Sequence, residues 1–331
     1  MTAFLTGGSG FVGGAVIRRL VADGRDVRAL ARSDAAAATV AALGARPVRG
    51  DLSDPNALAE GMRGCDAVFH VAGVNRTCVR HRAELTGANV DAPGIVVRAA
   101  FDAGVPRVIH TSSAATLGED EGTIGTEDAP HRSSFLSGYE RSKYLGERRA
   151  LETGRELGID VICVNPSSVQ GPGRTSGTAR ILLHVAGSER AVLVRTWISV
   201  IDVDDCAAGH ALAERRGAPG ERYVLSGASI RIEDAVELLR ARIGRPRRVL
   251  WIPRAVVRAA TPLAAVAART SRSADPSVCP ALLRTLLHGH RYDGSRATRD
   301  LGLRYRPIEE TLQRTIAWYE ERGILAPGSP A

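Results

Sequence analysis

Short apolar runs alternate along the chain with longer stretches whose apolar positions recur every three or four residues. AFLT, DVRAL, RPVRG, DAVFHVAG, PRVIHTSS and DVICVNP read as strands. Between them, FVGGAVIRRLVADG, a stretch ending near Leu43, another opening at Asp54, and NVDAPGIVVRAAFDAG read as helices. Strand and helix in alternation predict right-handed crossovers and a doubly wound parallel sheet covered on both faces. After about Gly171 the rhythm breaks. GPGRTSGTAR reads as a loop, WISVIDVDD as a strand running into a helix capped by Asp202 or Asp204, and TLQRTIAWYEERG as an amphipathic helix with a glycine stop. The expected organisation is an α/β nucleotide-binding domain over residues 1–170 with parts of 195–225. A smaller, discontinuous α+β substrate lobe, covering most of 171–331, is interleaved with it.

Composition narrows the class. The chain has 331 residues, 44% hydrophobic and 24% charged, as in ordinary globular proteins able to bury a large core. Its formal charge is +8, but the arginines are spread without basic runs or interleaved aromatics, so no nucleic-acid partner is expected. The 44 lysines plus arginines include a single lysine, Lys143, which suggests a task that a planar guanidinium cannot do. Five cysteines (Cys65, Cys78, Cys163, Cys206, Cys279) are odd in number and never spaced C-x-x-C, so neither a disulfide framework nor a zinc site is expected, and a reduced, cytoplasmic location fits. The N-terminus becomes glycine-rich too soon for a signal-peptide core. AVVRAATPLAAVAA (Ala255–Ala268), interrupted by Arg258 and Pro262, reads as a helical piece, so no membrane partner is expected.

TGGSGFVGG places Gly7, Gly10 and Gly13 between the first strand and the first helix. Glycines there permit a tight turn, close approach of backbone to a pyrophosphate and close helix packing, while the helix N-terminus supplies amide donors. Enzymes that use NAD usually end the second strand with an acid that holds the ribose 2′-hydroxyl. Here Ala31 stands at that place, followed by Arg32 and Ser33. A guanidinium there complements a 2′-phosphate, so NADP is favoured, with NAD as the alternative cofactor and a solvated Arg32 as the alternative reading. In GDLSD, Asp51 and Leu52 end the third strand, where they could meet an adenine; Asp51 could equally cap a helix.

Taken in order, Thr6–Gly13, Asp51-Leu52, HVAG (His70–Gly73), TSSA (Thr111–Ala114) and Tyr139-x-x-x-Lys143 give the chain a strong resemblance to extended short-chain dehydrogenases/reductases of the NAD-dependent epimerase/dehydratase type. The resemblance runs nearly end to end and is closest to dihydroflavonol-reductase-like bacterial members. It implies a Rossmann fold in which Tyr139 is the acid/base, Lys143 lowers its pKa and holds the nicotinamide ribose, and Ser113, preferred over Ser112, orients the substrate oxygen. Gly7, Ser9, Gly10, Phe11, Val12, Arg32, Asp51, Leu52, Val71, Ala72, Gly73, Asn89, Tyr139, Lys143, Pro166 and Ser168 are the implied cofactor contacts, and Ser167 belongs to the same carboxamide loop. Asn89 could alternatively be a helix N-cap. His70 and His110 read as core, and the pair His288 and His290 lacks further ligands for a metal site.

The leading expectation is an NADP-dependent oxidoreductase moving hydride between nicotinamide and a ketone, aldehyde or secondary alcohol. A nucleotide-sugar 4-epimerase using the same triad is the alternative, and a non-catalytic cofactor sensor a lesser one. Dehydration is disfavoured because Ala114 and Ala115 stand where an Asp-Glu pair would be needed. The partners expected are a small-molecule substrate and, optionally, a second copy of the chain in a homodimer. The substrate itself is not legible, because pocket residues come from loops near Val74–Glu84 and Gly171–Arg180, where Arg174 and Arg180 could meet a diphosphate or water.

Overall fold

The computed structural model describes residues 1–79, 82–243, 248–270 and 279–326. Its centre is a sheet of seven strands. The first half of the chain supplies β1 (Thr2–Thr6), α1 (Phe11–Ala22), β2 (Asp26–Ala31), α2 (Asp34–Ala42), β3 (Arg46–Arg49), α3 (Pro55–Met62) and β4 (Ala67–His70). A short α4 (Arg82–Leu85) passes through a π-helical turn, Thr86–Asp91, into α5 (Ala92–Asp102), which leads to β5 (Arg107–Thr111). A 3-10 turn, Ala114–Leu117, precedes α6 (Gly138–Leu157), β6 (Asp160–Pro166) and the short β7 (Ser168–Gln170). The remainder contributes α7 (Ala179–Gly187), β8 (Arg190–Val194), β9 (Trp197–Asp202), α8 (Val203–Arg216), β10 (Arg222–Leu225), β11 (Ala228–Arg231) and α9 (Ile232–Ile243). It closes with β12 (Arg248–Ile252), α10 (Arg254–Thr270), α11 (Pro280–His288) and α12 (Ile308–Glu321).

The main sheet runs β10-β6-β5-β4-β1-β2-β3, with every neighbouring pair parallel. The order reverses direction between β1 and β4, and it is there, beyond the strands' C-terminal ends, that a doubly wound sheet opens its ligand crevice. Apolar side chains of β1, β2, α1 and α8 fill one face, where Leu5, Ile17, Leu20 and Cys206 are buried. The other face is closed by Phe4, Leu58, Met62, Val96 and Val97. Burial on both faces explains why these strands read as continuous apolar runs rather than as alternation.

The later elements form two small sheets, β11-β9-β7 and β12-β8, around a separate apolar cluster with Leu182, Val236, Ile316 and Tyr319 at its heart. α10 carries Pro262 inside it, and among the described residues no helix is long and apolar enough to cross a membrane. One expectation is corrected here. Cys78, beside the loop that follows β4, and Cys279, the N-cap of α11, form a disulfide across 201 positions, leaving Cys65, Cys163 and Cys206 as buried thiols. Their wide separation concealed the pair, because sequence distance says nothing about which loops the fold brings together. The cysteine argument for a reducing compartment falls with it.

Candidate active site

Each strand that enters the crevice delivers a piece of the site at its C-terminal end. β1 ends in the glycine turn, where Gly7 has φ 76° and a Cβ would lie 2.6 Å from the Ala72 nitrogen. A Cβ at Gly13 would lie 2.1 Å from the Gly7 carbonyl oxygen, so α1 can sit this close to the turn only with hydrogen there. Gly10 is the N-cap of α1 and offers no side-chain acceptor, which leaves the first amides of the helix available to an anion. This cradle fits a dinucleotide pyrophosphate, and Phe11 and Val12 open the helix beneath it. Gly10 donates its own amide to the Gly7 carbonyl oxygen at 3.0 Å, and Ser9 lies exposed on the turn.

Arg32 is exposed just beyond Ala31, at the end of β2, and its charge is felt by Asp51. Asp51 does not cap a helix. It accepts from the Ser53 amide at 3.0 Å and hydroxyl at 2.8 Å, which together with Arg32 holds its carboxyl below the usual range, while Asp54 caps α3. Leu52 packs against the lower core. After β4, Val71 and Ala72 hang from Thr6, the first through its carbonyl oxygen and the second through its hydroxyl. Gly73 faces both Asn89 and Lys143, since a Cβ there would lie 3.1 Å from Asn89 Oδ1 and 3.6 Å from Lys143 Nζ.

The resemblance gave Asn89 as a buttress of the cofactor, with a helix N-cap as the alternative, and in the structure it caps no helix. Buried in the π-helical turn, its amide accepts from the Val74 amide at 2.8 Å and donates to the Val74 carbonyl oxygen at 2.9 Å and to Ser142 Oγ at 3.0 Å. One side chain thus fastens the loop after β4 to α6. The π-turn is pressed so hard on α6 that a Cβ at Gly146 would lie 1.7 Å from the Asn89 carbonyl oxygen. Gly146 is a positioning residue that the sequence reading missed; the available signal was a glycine in mid-helix, a costly residue unless something packs against it.

Ser137 caps α6, accepting from the Glu140 amide at 3.0 Å, and so sets the rotation of the helix that carries Tyr139 and Lys143 four residues apart on one face. Burial lifts the Tyr139 phenol above its ordinary pKa, opposed by the nearby Ser113 side chain and the Arg174 charge, whereas Ser112 Oγ is buried without a partner. Lys143 is buried and donates to the Thr111 carbonyl oxygen at 2.7 Å. Burial lowers its ammonium to about 8, against the opposing charges of Glu147 and Cys163. Ser113 and Arg174 are thus the groups that oppose the rise of the Tyr139 pKa here, beside Lys143 on the same face of α6.

Pro166 ends β6. Ser168 Oγ is engaged with Thr178 Oγ1 at 2.6 Å and Gln170 Nε2 at 2.9 Å, while Ser167 Oγ is buried without a partner, so Ser167 has the free hydroxyl of the pair. Arg174 stacks over the Phe11 ring at 5.4 Å and reaches the crevice from the loop that the sequence left undecided. His70 and His110 stack at 5.2 Å in the core, as expected. His288 and His290 are not without company. Glu119 lies against both, a third group contributed from 169 positions away and invisible to local spacing.

Comparisons with known proteins agree with this geometry. Residues 3–226 match the family described as "NAD dependent epimerase/dehydratase family". A Synechocystis sp. protein named "Putative dihydroflavonol 4-reductase" is 32% identical over 335 residues, covering 97% of this chain and 95% of that one. The "4-hydroxy-2-methyl-3-oxo-4-farnesyl-3,4-dihydroquinoline-1-oxide ketoreductase" of Stigmatella aurantiaca is 34% identical over 268 residues, covering 80% and 79%. The crystal structure of gox2253 superposes with a TM-score of 0.86 at 32% identity, covering 98% of this chain and 99% of that one.

Proposed function

Because the chain belongs to the NAD-dependent epimerase/dehydratase family and is an oxidoreductase of that group, we propose that it is an NADP(H)-dependent reductase of ketones or aldehydes. The observation that carries the reading is the meeting of Ser113 and Tyr139 at the crevice, close enough for Ser113 to act on the phenol, with Lys143 on the same face of α6. NADPH, bound along the glycine turn, supplies the hydride. Tyr139 supplies the proton. A phenol held above its ordinary pKa by burial stays protonated at neutral pH and is suited to donate as negative charge develops on the substrate oxygen. Ser113 Oγ serves as second donor to that oxygen, and its direction is fixed because its own backbone carbonyl oxygen accepts from Thr116 and Asn165. Lys143, beside Gly73 and under the crevice, holds the ribose of the nicotinamide half.

Reduction rather than epimerisation is supported by Ala31 and Arg32, which remove the acid that would repel a 2′-phosphate and place a cation beside it. The names of the two relatives, both reductases, point the same way. The test pairs a panel of ketones, aldehydes and nucleotide sugars with each cofactor. NADP(H) should bind roughly tenfold to a hundredfold more tightly than NAD(H), the worth of a charge-assisted contact. Tyr139→Phe should keep cofactor binding and lower kcat on the accepted carbonyl by at least about a hundredfold. Turnover of a nucleotide sugar with NAD, or a fully active Tyr139→Phe, overturns the proposal.

A further inference from the structure

A buried cluster outside the crevice is used by nothing described so far. Glu119 follows the 3-10 turn that Ser113 caps, and His288 and His290 lie at and just beyond the end of α11. The Glu119 side chain is 2% exposed, that of His288 6% and that of His290 17%. Glu119 Oε1 stands 2.6 Å from His290 Nδ1 and 3.4 Å from His288 Nε2, and the three candidate ligand atoms lie within 4.8 Å of one another. Two of the polar atoms are orphans. Neither Glu119 Oε2 nor His288 Nε2 has a hydrogen-bond partner, although both are buried, an expensive arrangement unless something else satisfies them.

We propose that Glu119, His288 and His290 bind a divalent transition-metal ion, with zinc as the ion of best fit. Two imidazoles and one carboxylate are the donor set of a three-ligand zinc site, whereas magnesium and calcium prefer sets made of oxygen alone. Ligands about 2.0 Å from a tetrahedral ion stand about 3.3 Å apart, so the 3.4 Å separation already suits it and the 2.6 Å one must open by several tenths. The Tyr292 phenol oxygen, 2.8 Å from His290 Nδ1, or a water fills the fourth position.

The surroundings hold this geometry before any ion arrives. Gly125 donates to the Arg291 carbonyl oxygen at 2.9 Å, and Asp293 to the Gly125 carbonyl oxygen at 3.0 Å, so the two ligand-bearing segments are already stitched together. Tyr292 donates its amide to Ser199 Oγ at 3.1 Å. Arg132 bonds the Glu119 carbonyl oxygen and is paired with Glu140. The ion would pin the segment after α11 to the segment that carries Ser113, and thereby act as a clamp across the rear wall of the crevice.

Calorimetric titration of the untagged, disulfide-intact protein with zinc chloride tests this. One equivalent should bind and raise the melting temperature, magnesium should do neither, and cobalt(II) should show the visible bands of a tetrahedral ion. His288→Ala and Glu119→Gln should each weaken zinc binding by roughly a hundredfold. The near-isosteric Glu119→Gln serves if the alanine variant does not fold, and the cobalt spectrum needs no variant. Absence of binding, non-tetrahedral cobalt bands, or zinc affinity unchanged by both substitutions overturns the proposal and leaves a cluster that shares protons only.

Discussion

Two histidine pairs sit in this molecule at similar ring separations, 5.2 Å for His70 and His110 and 4.9 Å for His288 and His290, yet their surroundings are opposite. The first pair lies on adjacent strands in register, β4 beside β5, under the crevice floor. Burial pushes His70 down to about 3 and the Lys143 charge adds to it; His110 is driven lower than its ordinary value by the same causes and by His70. The second pair faces Glu119. Burial alone would raise that carboxyl, but the His290 hydrogen bond and the His288 imidazole 3.4 Å away outweigh it and hold it at about 2. Whether a buried imidazole is inert filling or part of a charged cluster is thus decided by the group that a different segment places against it.

The largest expected effect separates the two regions by acid. In the unfolded chain a histidine takes a proton near pH 6.5, but His70 does so only near 3 in the folded chain, and His210, also lowered by burial, near 4. Between those limits the unfolded state binds more protons, so stability falls as pH drops below 6.5, by up to about 1.4 kcal/mol per pH unit for each such histidine. Chemical denaturation at pH 6.5 and 4.5 measures the slope, and His70→Asn should flatten it. An unchanged slope in that variant would show the floor pair to be silent.

Next comes the backbone contact that sets the floor. Gly146→Ala forces a methyl group toward a main-chain oxygen that cannot move without dragging Asn89 and, through it, Val74. A cost of at least about 3 kcal/mol is expected, together with weaker cofactor binding, both read from denaturation and titration. A variant as stable as the parent would mean the π-turn has slack that the structure does not show.

The smallest effect on the crevice belongs to the other region. Cys78→Ser opens the disulfide that ties the loop after β4 to α11, and should cost about 2 to 5 kcal/mol of stability, the range for losing a native crosslink. Cofactor affinity should stay at the parent value, because the glycine turn, Asn89 and α6 are fastened independently of that strap. A parallel loss of affinity would join the two regions that the comparison separates.

The sequence alone determined the parallel sheet, the glycine turn and the Tyr139–Lys143 face of α6. Each is dictated by neighbours within a few residues: a period of two or 3.6, a φ that only glycine adopts easily, a cap three residues from the amide it satisfies. The tertiary structure alone decided that Asn89 would bridge Val74 and Ser142, that Gly146 must lack a side chain, that Cys78 would meet Cys279 and that Glu119 would find His288 and His290. Those partners are brought together by chain crossings over dozens to some two hundred positions. Contact at that range follows from how elements pack, a property of the whole core that no local spacing encodes.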